Sequence, residues 1–182
     1  MPEVRLFHYE RTITMATESE TRLHSLCFTG HRPEKIETPE NLVLKGLEYE
    51  IDKAISDGYT IFITGMARGV DIWAAEIILG KKRNHSELKL VCALPFDGFE
   101  ASWSSDWQAR YNEILKQADS IEVICSHYSR SCFQLRNKWM VDHSSRLIAV
   151  WNGKPSGTKN TIVYARKRDR EVRNLLTPDT SC

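Results

Sequence analysis

Five times along the chain a short run of apolar and β-branched residues breaks off at a turn-forming residue and gives way to a helical pattern. The runs are SLCFTG from Ser25, YTIFITG from Tyr59, LKLVCALP from Leu88, SIEVICS from Ser120 and RLIAVWNG from Arg146. Strands that are nearly continuous in apolar residues and separated by helices predict a parallel sheet covered on both faces. The expected fold is therefore α/β, a doubly wound, mainly parallel sheet of five or six strands. Between the first two runs, Thr38 and Pro39 predict a helix start, and Leu44, Leu47, Ile51, Ala54 and Ile55 keep helical spacing. Ile72, Ala75, Ile78 and Leu79 predict a second helix. Trp103, Trp107, Tyr111, Ile114, Leu115 and Ala118 predict a third, its aromatic stripe read first as packing. A fourth is expected over about 132–143 and a fifth from near Thr158, and EVRNLL offers a short further edge strand.

The chain has 182 residues, 41% of them hydrophobic, which suits one domain with a sizeable core. Residues 1–24 are expected to be a mobile N-terminal extension, 25–176 the folded domain and 177–182 a C-terminal tail. Twenty-five basic residues face twenty-four acidic ones, so bulk charge calls for no polyanionic partner. No apolar run reaches the length of a membrane span and the N-terminus lacks the apolar centre of a secretion signal, so a cytoplasmic protein without a membrane partner is expected. Cys27, Cys92 and Cys125 sit inside the strand-like runs and no C-x-x-C pair occurs, so the cysteines read as buried thiols and not as disulfides or metal ligands. No metal site and no cofactor are expected.

The polar chemistry is uneven. Segments entering the strands (SDG, HSE, QAD, HSS) are ordinary turns, whereas those leaving them are TGHRPEK, TGMARGVD, PFDGFEASW, SHYSRS and WNGKPSGT. In a doubly wound sheet the leaving segments share one edge, where ligands bind. Glycines, Arg32, Arg68, Asp71, Asp97, Glu100 and Thr158 are thus expected on one rim. In TGMARGVD, Gly65 is read as allowing a sharp turn and Gly69 a close backbone approach, with Arg68 and the start of a helix near Val70 forming an anion cradle. Asp71 is expected either to cap that helix or to meet ribose hydroxyls. Gly157 and Thr158 repeat the arrangement before the last helix. His31, following Gly30, is equally a phosphate donor or a histidine that closes its turn. Glu76 and Glu100 are the candidate catalytic carboxylates. Neither a G-x-x-x-x-G-K-[ST] element nor G-x-G-x-x-G is present, which counts against ATP hydrolysis and NAD chemistry of the usual kind.

CFTGHRPEK, TGMARGVDIWAAE, PFDGFEASW and WNGKPSGT together resemble the YpsA-like proteins of the SLOG superfamily, named for the DNA-processing protein DprA (Smf) and the LOG cytokinin-activating enzymes. The resemblance spans about 26–165 and implies a Rossmann-like fold that binds nucleotides, nucleotide-derived ligands or nucleic acid. DprA-like proteins carry S-G-x-A-R-G-[IV]-D-x-x-A-H; residues 64–74 follow this pattern and Ala75 stands at the histidine position. LOG enzymes, which cleave the N-glycosidic bond of nucleoside monophosphates, carry G-G-x-G-T-x-x-E; Gly157 and Thr158 match and Thr161 stands at the glutamate position.

Three functions are therefore weighed. The first is binding of a small nucleotide-type ligand, with Gly65, Arg68 and Gly69 on phosphate, Gly157 and Thr158 on a second polar group, Gly30, His31 and Arg32 beside them, and Phe96, Asp97 and Trp103 on the base or sugar. The second is a nucleotide N-glycosidase using Glu76 or Glu100. The third is binding of single-stranded nucleic acid. A homo-oligomer stays open, although no exposed apolar stripe marks an interface.

Overall fold

A computed structural model of the chain describes residues 18–176. Six strands, β1 (Ser25–Gly30), β2 (Ile61–Thr64), β3 (Lys89–Leu94), β4 (Ser120–Val123), β5 (Arg146–Val150) and β6 (Glu171–Asn174), form one sheet in the order β4-β3-β2-β1-β5-β6. Every pairing is parallel, with Cys27 opposite Leu147 on one side and Ile63 on the other. The short run after Arg170 is the sixth strand, so the upper of the two expected strand numbers is the observed one.

The helices are α1 (Glu40–Ser56), α2 (Val70–Lys82), α3 (Ser105–Gln117), α4 (Cys132–Asp142) and α5 (Gly157–Lys167). Period-2 alternation along the strands sorts the core into two layers. Leu26, Phe28, Phe62, Leu90, Cys92 and Ile148 point to α1, α2 and α3, whereas Cys27, Ile63, Ala93, Leu147 and Ala149 point to α4 and α5. Complete burial of each such Leu, Ile or Phe side chain is worth roughly 1.5–3 kcal/mol. Helix α2 lies between α1 and α3, which is why its first half, including Trp73, Ala74 and Ala75, is buried all round.

Two expected boundaries move. Helix α1 begins one residue late, with Pro39 at its N-cap, and α3 begins at Ser105, leaving Trp103 on the preceding loop. Residues 18–23, assigned above to the extension, are helical, and the His24 carbonyl accepts hydrogen bonds from the Thr60 and Ile61 amides at 3.0 and 3.1 Å. The rest of that extension, 1–17, and the tail at 177–182 lie outside the described residues. Among the described residues, no helix is long and apolar enough to cross a membrane.

Candidate functional site

Strand order reverses between β1 and β5, so a crevice opens where the loops leaving those strands part. The segments leaving β1, β2, β3 and β5, with Phe133 from the start of α4, line two hollows along this edge, which meet at the segment around the short 3-10 turn Pro33–Lys35.

The first hollow, of about 370 Å³, is lined by Arg32, Ala67, Arg68, Phe99, Ser102, Trp103, Ser104, Trp107 and Phe133. Its floor is an aromatic cluster. Phe99 meets Trp103, Tyr111 and Phe133 edge to face at centroid separations of 5.3, 5.6 and 6.2 Å, and Phe96 supports it from behind through Phe99 and Phe133. Its rim is cationic. Arg68 Nη2 donates to Glu34 Oε1 at 2.8 Å in a half-exposed pair, and Arg32 stands beside it in solvent. A partly solvent-screened pair of this kind contributes about 1 kcal/mol or less. The two serines add hydroxyl donors.

The turn between β2 and α2 is built differently from the expected anion cradle. Its left-handed residues are Met66, φ 57°, and Gly69, φ 91°. Gly65 adopts no such conformation; its smallness serves Arg136 instead. A Cβ at Gly65 would overlap the Arg136 guanidinium, which donates to the Gly65 carbonyl, and would come within 2.9 Å of Asp71 Oδ2. At Gly69 a Cβ would come within 2.9 Å of Pro33 Cδ and 3.1 Å of the His31 carbonyl, so the close approach there is made by the neighbouring loop. Two amides of the turn are satisfied internally: Met66 N donates to Thr64 Oγ1 at 3.3 Å and Ala67 N to Asp71 Oδ2 at 3.2 Å.

Asp71 is accordingly a buried strut. It faces Arg136 at 3.8 Å, and both side chains are almost fully enclosed. Burial pushes the Asp71 carboxyl up to about 6, against the opposing pull of Arg136 and the Ala67 amide. Side-chain donors line the hollow from three loops: Arg32 after β1, Arg68 on the turn braced by this strut, and Ser102 and Ser104 after β3.

The second hollow, of about 340 Å³, lies at the β1/β5 switch point and is lined by His31, Glu34, Lys35, Glu37, Asn152, Lys154, Pro155 and Ser156. His31 N donates to the Val150 carbonyl at 3.3 Å, which closes the turn. The residue is 5% exposed, with Nε2 buried and unpaired within the protein. Burial first, and then the nearby Lys35 and Lys154 charges, outweigh the Asn152 hydrogen bond and lower its pKa, so the imidazole is neutral at pH 7. Lys154 Nζ pairs with Glu37 at 2.7 Å, and Ser156 caps α5 by accepting from Lys159 N at 3.2 Å. Space around Gly157 is open, whereas Thr158 is buried. Arg68 and Thr158 thus share the edge without sharing a hollow.

The remaining candidates are placed as follows. Gly30 packs against Val70, where any Cβ would overlap that side chain. Asp97 is exposed and lines neither hollow. Glu76 lies on the α2–α3 flank, clamped by Arg110 through two 2.6 Å hydrogen bonds, and lines a separate hollow there. It reaches the aromatic cleft only through Arg110, whose guanidinium sits 4.4 Å over the Trp107 ring. Glu100 lies near Tyr111, whose pKa its charge helps to raise, and its Oε2 is buried without a hydrogen-bond partner. Thr161 is buried and bonded to Asn137 and the Gly157 carbonyl. Trp107, Ser102, Ser104, Phe133 and Lys154 are lining residues that sequence reasoning did not select; only Trp107, four residues after Trp103, carried a visible signal. A larger hollow of about 640 Å³ at the opposite edge, against Ile61, Val91 and Trp139 and with Arg22, Lys89 and His143 in its lining, contains none of the site residues expected from the sequence.

The YspA SLOG family model matches residues 26–178. The chain belongs to that family. UPF0398 proteins of Bacillus thuringiensis (strain Al Hakam) and Bacillus cereus (strain Q1) are each 29% identical to this SLOG domain over 157 residues, 82% of this chain and 85% of theirs. Among solved structures, DprA of Streptococcus pneumoniae aligns with a TM-score of 0.61 at 14% identity, covering 88% of this chain and 53% of that one. The SLOG domain thus spans about half of that protein. DprA of Helicobacter pylori, described for its single-stranded DNA binding mode, aligns with a TM-score of 0.61 at 20% identity, covering 90% and 70%. The two DprA structures share the fold.

Proposed function

We propose that this SLOG protein is a cytoplasmic binding protein for a phosphorylated nucleotide or nucleotide-derived ligand, held in the hollow between Arg32, Arg68 and the paired tryptophans. The observation that carries this reading is the meeting of two guanidinium groups and two indole rings, from three separate loops and the start of α3, in one cleft. Guanidinium groups give bidentate, charge-assisted contacts to phosphate, and aromatic faces accept a base or sugar. Ser102 and Ser104 supply hydroxyl donors, and the neutral His31, with Lys35, Asn152 and Lys154, receives a second polar group across the Pro33–Lys35 turn. Membership in the family supports nucleotide or nucleic-acid recognition at this general level.

Binding is favoured over N-glycosidic hydrolysis because Glu76 is neutralised by Arg110 outside the cleft and Glu100 faces Tyr111. Single-stranded nucleic acid is the second reading, favoured by an open cleft of arginines and aromatic rings of the kind that stacks successive bases. It requires affinity that falls steeply with salt.

The test is thermal unfolding with AMP, ADP, ADP-ribose and a short oligonucleotide. A ligand at a hundredfold excess over its Kd stabilises the native state by about 2.7 kcal/mol. A rise in Tm that disappears in the Arg32→Ala/Arg68→Ala variant supports the proposal; no shift with any nucleotide ends it.

A further inference from the structure

The two faces of the sheet are covered unequally. Among the described residues, α1, α2 and α3 pack on one face, whereas the other carries α5 over β1, β5 and β6 and α4 against β1 and β3. An all-parallel sheet is ordinarily covered on both faces, yet here the entering half of β2, β3 and β4 is bare on the second one. Ile61 and Ile63, Lys89 and Val91, and Ser120 and Glu122 are alternate residues of these three adjacent strands, so their side chains share that face. With Trp139 and His143 at the end of α4 they bound the hollow of about 640 Å³ opposite the ligand edge. Ile63 is 3% exposed, but Ile61, Val91 and Trp139 are only partly buried, so the floor of the hollow is apolar and open.

The chain itself arrives at this hollow. Glu18, Thr21 and Arg22 form part of its wall, and Glu18 is the first described residue, so residues 1–17 are attached at the rim. That stretch precedes the family match, which begins at 26, and is therefore an addition to the SLOG domain. Its sequence, MPEVRLFHYERTITMAT, places Phe7, Tyr9, Ile13 and Met15 in one alternating series whose polar member is Arg11, with His8, Glu10, Thr12 and Thr14 in the other. From β2 to β4 the face spans two strand spacings, roughly 10 Å. Seventeen residues reach at most about 56–61 Å when extended, so the stretch has ample length to cross it. Glu122, whose carboxylate accepts a hydrogen bond from Ser120 at 2.7 Å, stands exposed on the same face and is complementary to Arg11. Covalent attachment presents such a segment at an effective concentration on the order of millimolar, which an untethered second copy does not match at micromolar protein.

We propose that the bare face of β2, β3 and β4 is a docking surface for residues 1–17 of the same chain. The series Phe7, Tyr9, Ile13 and Met15 lies over Ile61, Val91 and Trp139, with Arg11 toward Glu122, and the alternate series faces solvent. The added segment then supplies the cover that the third helix supplies on the other face. It leaves the ligand edge untouched, because the hollow it fills shares no lining residue with either hollow there.

The test is nuclear Overhauser spectroscopy on the full chain, deuterated and labelled at the methyl groups of Ile, Leu, Val and Met. The expected result is a set of cross-peaks from Ile61, Ile63 and Val91 to Ile13 and Met15. In the full chain carrying Phe7→Ser, Tyr9→Ser and Ile13→Ser, the cross-peaks to Met15 should be lost and the methyl signals of Ile61, Ile63 and Val91 should move. Those of Ile72 and Ile78, under the helices of the other face, should stay in place and show that the domain is intact. Absence of any cross-peak between these three residues and 1–17 in the wild-type chain overturns the proposal. Cross-peaks that arise only between differently labelled molecules in a mixed sample overturn it too, since the occupant is then a second copy. The measurement uses no nucleotide, so its outcome stands apart from the test of the proposed function.

Discussion

Replacing Gly65 by alanine probes the strut beneath the cleft. The added methyl group would occupy the position of the Arg136 guanidinium and approach Asp71 Oδ2 within 2.9 Å. Arg136 must withdraw, the Gly65 carbonyl loses its donor, and Asp71 is left as a carboxylate buried without its cation. Removing one partner of a buried pair costs about 3–5 kcal/mol, and overpacking alone costs about 1–3 kcal/mol. Gly65→Ala is therefore expected to lower the unfolding free energy by about 3–5 kcal/mol, a large share of the 5–15 kcal/mol that holds a typical domain together. The decisive assay is urea unfolding of wild type, Gly65→Ala, Arg136→Met and the double variant. Once the guanidinium is gone the methyl group has room, so in the Arg136→Met background Gly65→Ala should cost under about 1 kcal/mol, giving a coupling of several kcal/mol. Equal costs in the two backgrounds would refute the assignment of Gly65 as space kept for Arg136.

The same strut makes stability depend on pH. Asp71 holds its proton up to about pH 6 when folded but only to its ordinary 3.8 when unfolded, so its contribution is complete below about 4 and is lost as pH rises through 6. The unfolding free energy of wild type relative to Asp71→Asn should fall by at most about 3 kcal/mol between pH 4 and 7; a rise would reverse the sign of the argument. Gly58 and Gly69 share φ 91°, but only Gly69 is crowded, by Pro33 and the His31 carbonyl. Gly58→Ala should cost about 1–2 kcal/mol for its conformation and Gly69→Ala about 1–3 kcal/mol more, both measured by urea unfolding. At the cleft, Trp103→Ala should weaken nucleotide affinity by the roughly 1–3 kcal/mol typical of base stacking and Arg68→Ala by the roughly 1.5–3 kcal/mol of a charged hydrogen bond. Glu76→Gln, acting only through Arg110 and Trp107, should change Kd less than either in calorimetric titrations.

What the sequence disclosed follows the range of the interactions involved. The alternation of strand and helix is local periodicity, so the parallel sheet, its two layers and the shared edge were readable from the runs themselves. The final strand was only hinted at, because Glu171–Asn174 alternates weakly and gains its place by pairing with β5. Gly65 and Gly69 were visible as special positions, but their partners, Arg136, Pro33 and the His31 carbonyl, come from other segments. A glycine announces a need for space without naming who fills it. Met66 carries the left-handed turn although methionine gives no such signal. Asp71 and Glu76 looked alike as carboxylates on one helix. Tertiary partners separated them, Arg136 burying the first in a strut and Arg110 holding the second on the flank. Trp103 was read both as part of a helical packing stripe and as a residue on the base or sugar side; it sits on the loop before α3 and lines the cleft.

The most direct measurement of the central claim is amide chemical-shift mapping of isotope-labelled protein titrated with the nucleotide that gives the largest rise in Tm. The largest saturable shifts are expected at Arg32, Ala67, Arg68 and 102–104, with smaller ones at His31 and 152–156. Saturable shifts confined to the opposite edge of the sheet, around Ile61, Val91 and Trp139, would contradict it.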